Sequence, residues 1–185
     1  TPGPEFDSTV KGAPLLQQDI DRMRREGSIP DPHSRVRACM VEATIGPAMA
    51  ASFVDSGATI SVISGSTAAV LEAHCKIPRE KSGVTATVFR NGQAVRFQEA
   101  MVAPIQLYGV EIQARLQILE DMDFDLLIGD DLLHGAGLIL NYDARIVGTK
   151  HESGKFLDRE GVVRHTMKMQ DLHRAVRRQE RADTR

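Results

Sequence analysis

The run Ala51-Ser-Phe-Val-Asp-Ser-Gly-Ala-Thr-Ile-Ser-Val-Ile63 constrains this chain more than any other stretch. It reads as an apolar strand that stops at Asp55, turns through Ser56-Gly57 and resumes as a second strand over Thr59–Ile63. A carboxylate set between two apolar runs is costly to bury unless it is hydrogen-bonded, paired or protonated. Asp55 is therefore a candidate functional group. The Ser56 hydroxyl can reach the carboxylate from outside, and Gly57 lets backbone approach it closely.

A second segment has the same shape. In Phe124-Asp-Leu-Leu-Ile-Gly-Asp-Asp-Leu-Leu133 an apolar strand, Leu126–Ile128, enters a turn at Gly129 and mirrors Phe53–Gly57. Asp130 or Asp131 is placed to cap a short helix ending near His134-Gly135. Between the two segments, Ser64-Gly-Ser66 offers an N-cap for a helix over Thr67–Cys75; a phosphate cradle there would need a following Gly-Lys-Ser/Thr, which is missing. Gly83–Phe97 reads as a hairpin turning at Asn91-Gly92. Ala100–Leu107 and Val110–Leu119 form another hairpin through Tyr108-Gly109, with Met101, Ala103, Ile105 and Leu107 on one face. Strands over Ser34–Ile45 and Ala48–Asp55 meet at Gly46-Pro47, and Leu138–Tyr142 and Arg145–Thr149 close the series around Asp143-Ala144.

Composition limits what surrounds these elements. A chain of 185 residues with 42% hydrophobic content makes one globular domain with tails, and aromatic content of 4% with no Trp leaves an aliphatic core. A formal charge of −2 argues against strong overall attraction to nucleic acid or membrane. Cys39 and Cys75 lack the paired spacing of a zinc or redox site, and free thiols fit a reducing, cytoplasmic or other intracellular compartment. No apolar run reaches membrane-spanning length, Thr1–Pro30 has no signal-peptide core, and a first residue other than Met is expected of a fragment or processed product.

The six histidines show no metal-ligand spacing, and Ser64 and Ser66 lack a nucleophile elbow. The acidic run Glu120–Asp125 lacks the glycine and terminal glutamate of a calcium loop and reads as solvated. No metal or other cofactor is expected. The chain divides into an N-terminal extension, 1–34, with a short helix over Leu15–Glu26 that docks elsewhere, ends an upstream precursor domain or rests on the domain; a central domain, 35–149; and a charged C-terminal tail with helical character, 150–185. Thr166–Ala182 suits a helix with Met169, Leu172 and Val176 along one side. Its basic residues allow nucleic-acid binding, but interleaved Glu160, Asp171, Glu180 and Asp183 and the lack of aromatics favour a solvated helix or linker.

Asp55-Ser-Gly-Ala58, with Ile128-Gly129-x-Asp131-x-Leu133 behind it, resembles the paired signatures of retropepsin-like aspartic proteases, both retroviral or retrotransposon-type and ubiquitin-shuttle-type. The resemblance covers roughly Arg35 to Thr149. It implies a mainly β fold: a closed, pseudo-symmetric barrel subunit with short helices and one flap hairpin. Asp-Ser-Gly occurs once, so the implied enzyme is a homodimer in which two copies of Asp55 share one proton and activate a water against an extended peptide. Aspartic proteases are the established instance of a carboxylate pair sharing a proton, so this chemistry belongs to the family. By the same resemblance Ser56, Gly57 and Ala58 form the active-site turn, Val88, Phe89, Arg90, Asn91 and Gly92 the flap, and Ala58, Val88, Phe89 and Ile128 the side-chain pockets. The implied activity is endopeptidase cleavage of a polyprotein or of the chain's own precursor, with the retrotransposon or gag-pol type favoured over the ubiquitin-shuttle type. A dimerisation or peptide-binding module with little turnover is the rival outside enzymology. Retroviral members often carry Arg after the second Gly, where this chain has Asp130, so their inter-subunit salt bridges are not expected here.

Overall fold

A computed structural model describes residues 39–87, 94–122, 124–142 and 144–185, together with Arg25. The helix expected over Leu15–Glu26, the beginning of the first expected strand and the flap residues Val88, Phe89, Arg90, Asn91 and Gly92 lie outside the described residues.

Alternating patterns become paired strands. β1 (Met40–Ile45) and β2 (Ala48–Val54) are antiparallel, closing at Ile45↔Ala48 around Gly46-Pro47. β3 (Val62–Ser64) follows the Asp55 turn, α1 (Gly65–Cys75) comes next, and β4 (Glu80–Lys81) leads to a two-stranded hairpin of β5 (Thr85–Thr87) and β6 (Ala94–Arg96). β7 (Glu99–Leu107) and β8 (Val110–Leu119) are the long hairpin. Its two turn residues, Tyr108 at φ 46° and Gly109 at φ 79°, are both left-handed, as a tight two-residue connection requires. β9 (Leu126–Ile128), α2 (Asp130–Ala136), β10 (Ile139–Asn141), β11 (Ile146–Gly148), β12 (Ser153–Lys155) and α3 (Arg159–Asp183) complete the order.

The strands run β1-β2-β9-β3-β8-β7, and β7 returns to β1 through Thr44↔Gln106 and Ile45↔Ile105, so the sheet closes into a six-strand barrel with β4 on its β7 side. Met101, Ala103, Ile105 and Leu107 of β7 are at most 1% exposed, facing Val41, Ile45, Leu116 and Leu126 within one core. Each large aliphatic side chain buried in this way contributes about 1.5–3 kcal/mol. Alanines 43, 50, 103 and 114 fill the space between them, which is how an interior poor in aromatics still packs densely.

Ser64 caps α1, accepting the Thr67 N–H at 3.1 Å, so the helix begins two residues before the expected Thr67. β3 in turn starts at Val62 and not Thr59, because the backbone of residues 58–61 is engaged by the turn that opens α2.

The stretch from Lys150 on, expected as a charged tail, carries β12 and the 25-residue α3. Asp158 caps α3 by accepting the Gly161 N–H at 2.7 Å, and the helix packs on β2 and α1. Gly161, His165, Met169 and Val176 share the face turned inward. His165 Nε2 lies 3.0 Å from a Glu42 carboxylate oxygen on β1, tying the helix to the barrel, while Nδ1 has no partner among the described residues. Residues Ala38–Arg185 form one compact unit. No helix among the described residues is long and apolar enough to cross a membrane.

Candidate active site

β2 and β9 run parallel with Val54 opposite Ile128, so the Asp55-Ser-Gly turn and Gly129 leave the barrel side by side. The Asp55 N–H donates to the Ile128 carbonyl at 2.9 Å, and the Asp130 N–H donates to the Ala58 carbonyl at 2.7 Å. Two apolar strands entering two glycine turns are thus stitched together. Gly129 admits no side chain: a Cβ there would lie 2.4 Å from the Ile60 carbonyl oxygen.

Asp55 is buried, at 8% exposure. One carboxylate oxygen accepts the Gly57 N–H at 3.0 Å; the other is buried with no partner among the described residues. The hydrogen bond expected from the Ser56 hydroxyl comes instead from the Gly57 backbone, and Ser56 is exposed. The result is a carboxylate held by its own turn and presenting one uncommitted oxygen.

Behind the turn lies a polar clasp. The buried Ser61 hydroxyl donates to Asp131 at 2.6 Å and accepts the Gly129 N–H at 2.9 Å. Asp131 also accepts the Ser61 N–H at 3.1 Å and the Leu132 N–H at 2.8 Å. The expectation that Asp130 or Asp131 caps α2 is corrected here: Gly129 is the N-cap and makes no side-chain bond. Asp131 is drawn to Ser61, a pairing across 70 residues that no local pattern signals.

Beside Gly57 and Ala58 lies a cavity of about 340 Å³ walled by Thr85 and Ala86 of the β5–β6 stem, Leu119, Met122 and Leu127. Ile128, expected to line a pocket, is fully buried in the core. Successive residues of a strand face opposite sides, so it is Leu127 that reaches the cavity. Ala58 does line it. Leu119, Met122 and Leu127 were missed because their part depends on how loop and strand meet in space.

The acidic run is not uniformly solvated. Glu120 and Asp121 are exposed, but Asp125 is 8% exposed and accepts the Ala51 N–H of β2 at 3.2 Å. Burial pushes its carboxyl up to about 6, against the opposing effect of that hydrogen bond. Phe124 stacks on Phe53, with ring centroids 5.0 Å apart. Cys39, whose carbonyl accepts the Val54 N–H at 2.8 Å, is buried; that burial raises its thiol to about 11, and the Tyr142 hydroxyl beside it lowers it in part. Such a thiol is unreactive. Among the described residues no three His, Cys, Asp or Glu side chains gather as metal ligands would.

A closed barrel that presents one buried Asp-Ser-Gly carboxylate beside an apolar cavity is the subunit architecture of retropepsin-like aspartyl proteases. Residues 30–141 match the family model described as aspartyl protease, and the chain belongs to that family. The crystal structure of the retroviral protease-like domain of Ddi1 from Leishmania major is similar at 26% identity and a TM-score of 0.51, over 66% of this chain and 96% of that one. EIAV protease complexed with the inhibitor HBY-793 is similar at 18% identity and a TM-score of 0.44, over 61% of this chain and 99% of that one. No curated protein matches the sequence.

Proposed function

We propose that the protein is an aspartic endopeptidase that works as a homodimer, each copy contributing Asp55. The observation that carries this reading is the buried Asp55 with one oxygen bonded to Gly57 and the other left without a partner among the described residues. A single such carboxylate is half of a general acid–base pair. Two copies brought face to face hold one proton between them, because two close carboxylates do not both ionise cheaply. The ionised member takes a proton from water as that water attacks the scissile carbonyl. The protonated member hydrogen-bonds the carbonyl oxygen and then helps protonate the leaving nitrogen. An extended peptide lies along the Gly57-Ala58 turn, with an apolar side chain in the cavity bounded by Leu119, Met122 and Leu127. The β5–β6 hairpin, whose stem residues Thr85 and Ala86 line that cavity, is assigned the role of flap in this reading.

In this reading the second copy is assigned to the exposed apolar residues of the β10–β11 hairpin. Ile139 and Tyr142 are both 64% exposed and Ile146 is 40% exposed on the β10–β11 hairpin, and Tyr142 contacts Cys39, which is bonded to the strand carrying Asp55. Similarity to the Leishmania major domain supports a cellular protease in preference to a retroelement enzyme that processes a polyprotein.

The test is cleavage of a mixed peptide library by wild type and Asp55→Asn, with sedimentation of both. Cleavage by wild type alone, from a dimer, supports the reading. A stable wild-type dimer that binds peptides and cleaves none, across mildly acidic to neutral pH, would replace it with the binding-module reading.

A further inference from the structure

The last third of α3 separates charges that alternate along the sequence. Arg174, Arg177, Arg178 and Arg181 stand at i, i+3, i+4 and i+7, within an arc of about 100° and a length of about 10 Å on a regular helix. All four are exposed, and Arg185 follows just past the helix end. They lie opposite the face that buries His165, Met169 and Val176. Two of the interleaved acids turn away from this face and one stays at its edge. Glu180 and Asp183 line the groove between α3 and α1, beside Ala69 and Ala73. Asp171 lines the cleft toward Met49 and reaches only Arg174, at 3.4 Å with both side chains well exposed. Among the described residues, Arg177, Arg178 and Arg181 have no carboxylate within ion-pair distance.

We propose that this outer face of α3 docks the phosphate backbone of a single nucleic-acid strand. Guanidinium groups take phosphate oxygens through a two-pronged fork, which a stripe made only of arginine is suited to do. A protein partner of ordinary affinity would call for an aromatic or aliphatic anchor amid the charges, and the stripe has none. A membrane surface would call for a broad apolar face; only Val163 and Met167 stand exposed on this side, nearer the start of the helix. A contact made by charge alone is what a phosphate backbone accepts. α3 offers no aromatic ring for a base to stack on, so the contact is to phosphates alone and for that reason takes no account of base sequence. The site is separate from Asp55 and stands whether or not the chain cleaves peptides.

Fluorescence anisotropy of a fluorescein-labelled 20-nucleotide oligo-dT with the full chain tests this. Four phosphate contacts to a single strand give a slope of about −3 in log K against log salt, hence about fifty-fold weaker binding at 200 mM than at 50 mM. Combined Arg174→Glu, Arg178→Glu and Arg181→Glu is expected to weaken binding at least tenfold and to flatten the slope to about −1 or less. The matching Gln triple variant should fall between, with circular dichroism unchanged in both because the side chains are exposed. Absence of binding at 50 mM salt, or equal binding by the Glu variant, overturns the proposal. Tighter binding to a polyglutamate peptide or to phosphatidylserine vesicles than to the oligonucleotide also overturns it, reassigning the stripe to a protein or a membrane.

Discussion

Asp125 supplies a stability prediction whose sign runs against intuition. The residue immediately precedes β9, is 8% exposed, and accepts a hydrogen bond from Ala51 on β2, the strand that leads into Asp55. Its carboxyl is raised from 3.8 to about 6, burial being the dominant cause. A raised value means the folded chain holds the proton more tightly than the unfolded chain does. The stability this group contributes is therefore complete below pH 3.8 and is lost as pH climbs through about 6. Raising a carboxyl by that amount corresponds to about 3 kcal/mol between the two limits. Asp125→Asn keeps an acceptor for the Ala51 N–H and removes the charge, while Ser64, Thr166 and Gln170 around the adjoining cavity offer acceptors to the new amide. At pH 7.5 the variant should be more stable than wild type by up to about 3 kcal/mol, or about 6–10 °C in Tm for a chain of this size. At pH 3.5 the two should melt together. Thermal melts by far-UV circular dichroism, run in pairs at both pH values, measure the difference directly. Destabilisation at pH 7.5, or the same shift at both pH values, would refute the assignment of Asp125 as a charge held at a cost behind the strand that leads into Asp55.

Three further outcomes are expected. Ser61→Ala leaves the buried Gly129 N–H without its acceptor and should cost about 1–3 kcal/mol in urea unfolding, whereas Ser153→Ala, on an exposed strand, should be neutral. Met169→Ala, at the centre of the buried face of α3, should cost about 2–5 kcal/mol and speed hydrogen exchange along the helix if that helix is an integral layer of the domain. Ile139→Asp places charge on the exposed β10–β11 patch and should shift sedimentation toward monomer with parallel loss of peptidase activity, leaving the Tm of the subunit within about 2 °C.

Much of the barrel is legible in the chain because local periodicity and turn chemistry agree. The β7–β8 hairpin falls where alternation and Tyr108-Gly109 place it, since φ at both turn residues is positive and the buried set is the alternating one. Asp55 stands out for a related reason: a carboxylate between apolar runs breaks the pattern around it. Where the reading failed, the deciding contact was distant. Asp131 has the sequence context of a helix cap yet bonds Ser61, and Asp125 belongs to an acidic run yet is buried against Ala51, 74 residues away.

Local sequence was enough for the hairpin turns at Gly46-Pro47 and Tyr108-Gly109 and for the single Asp-Ser-Gly carboxylate between apolar runs, because each follows from the conformations a residue and its near neighbours can adopt. Which of Leu127 and Ile128 faces the cavity, which carboxylate of the acidic run is buried, and that α3 packs as a layer on β2 and α1 were settled by the meeting of distant segments. Those outcomes depend on which surfaces meet when the barrel closes and α3 packs against it. Polar groups are then satisfied, or left to solvent, by partners that are neighbours only in space.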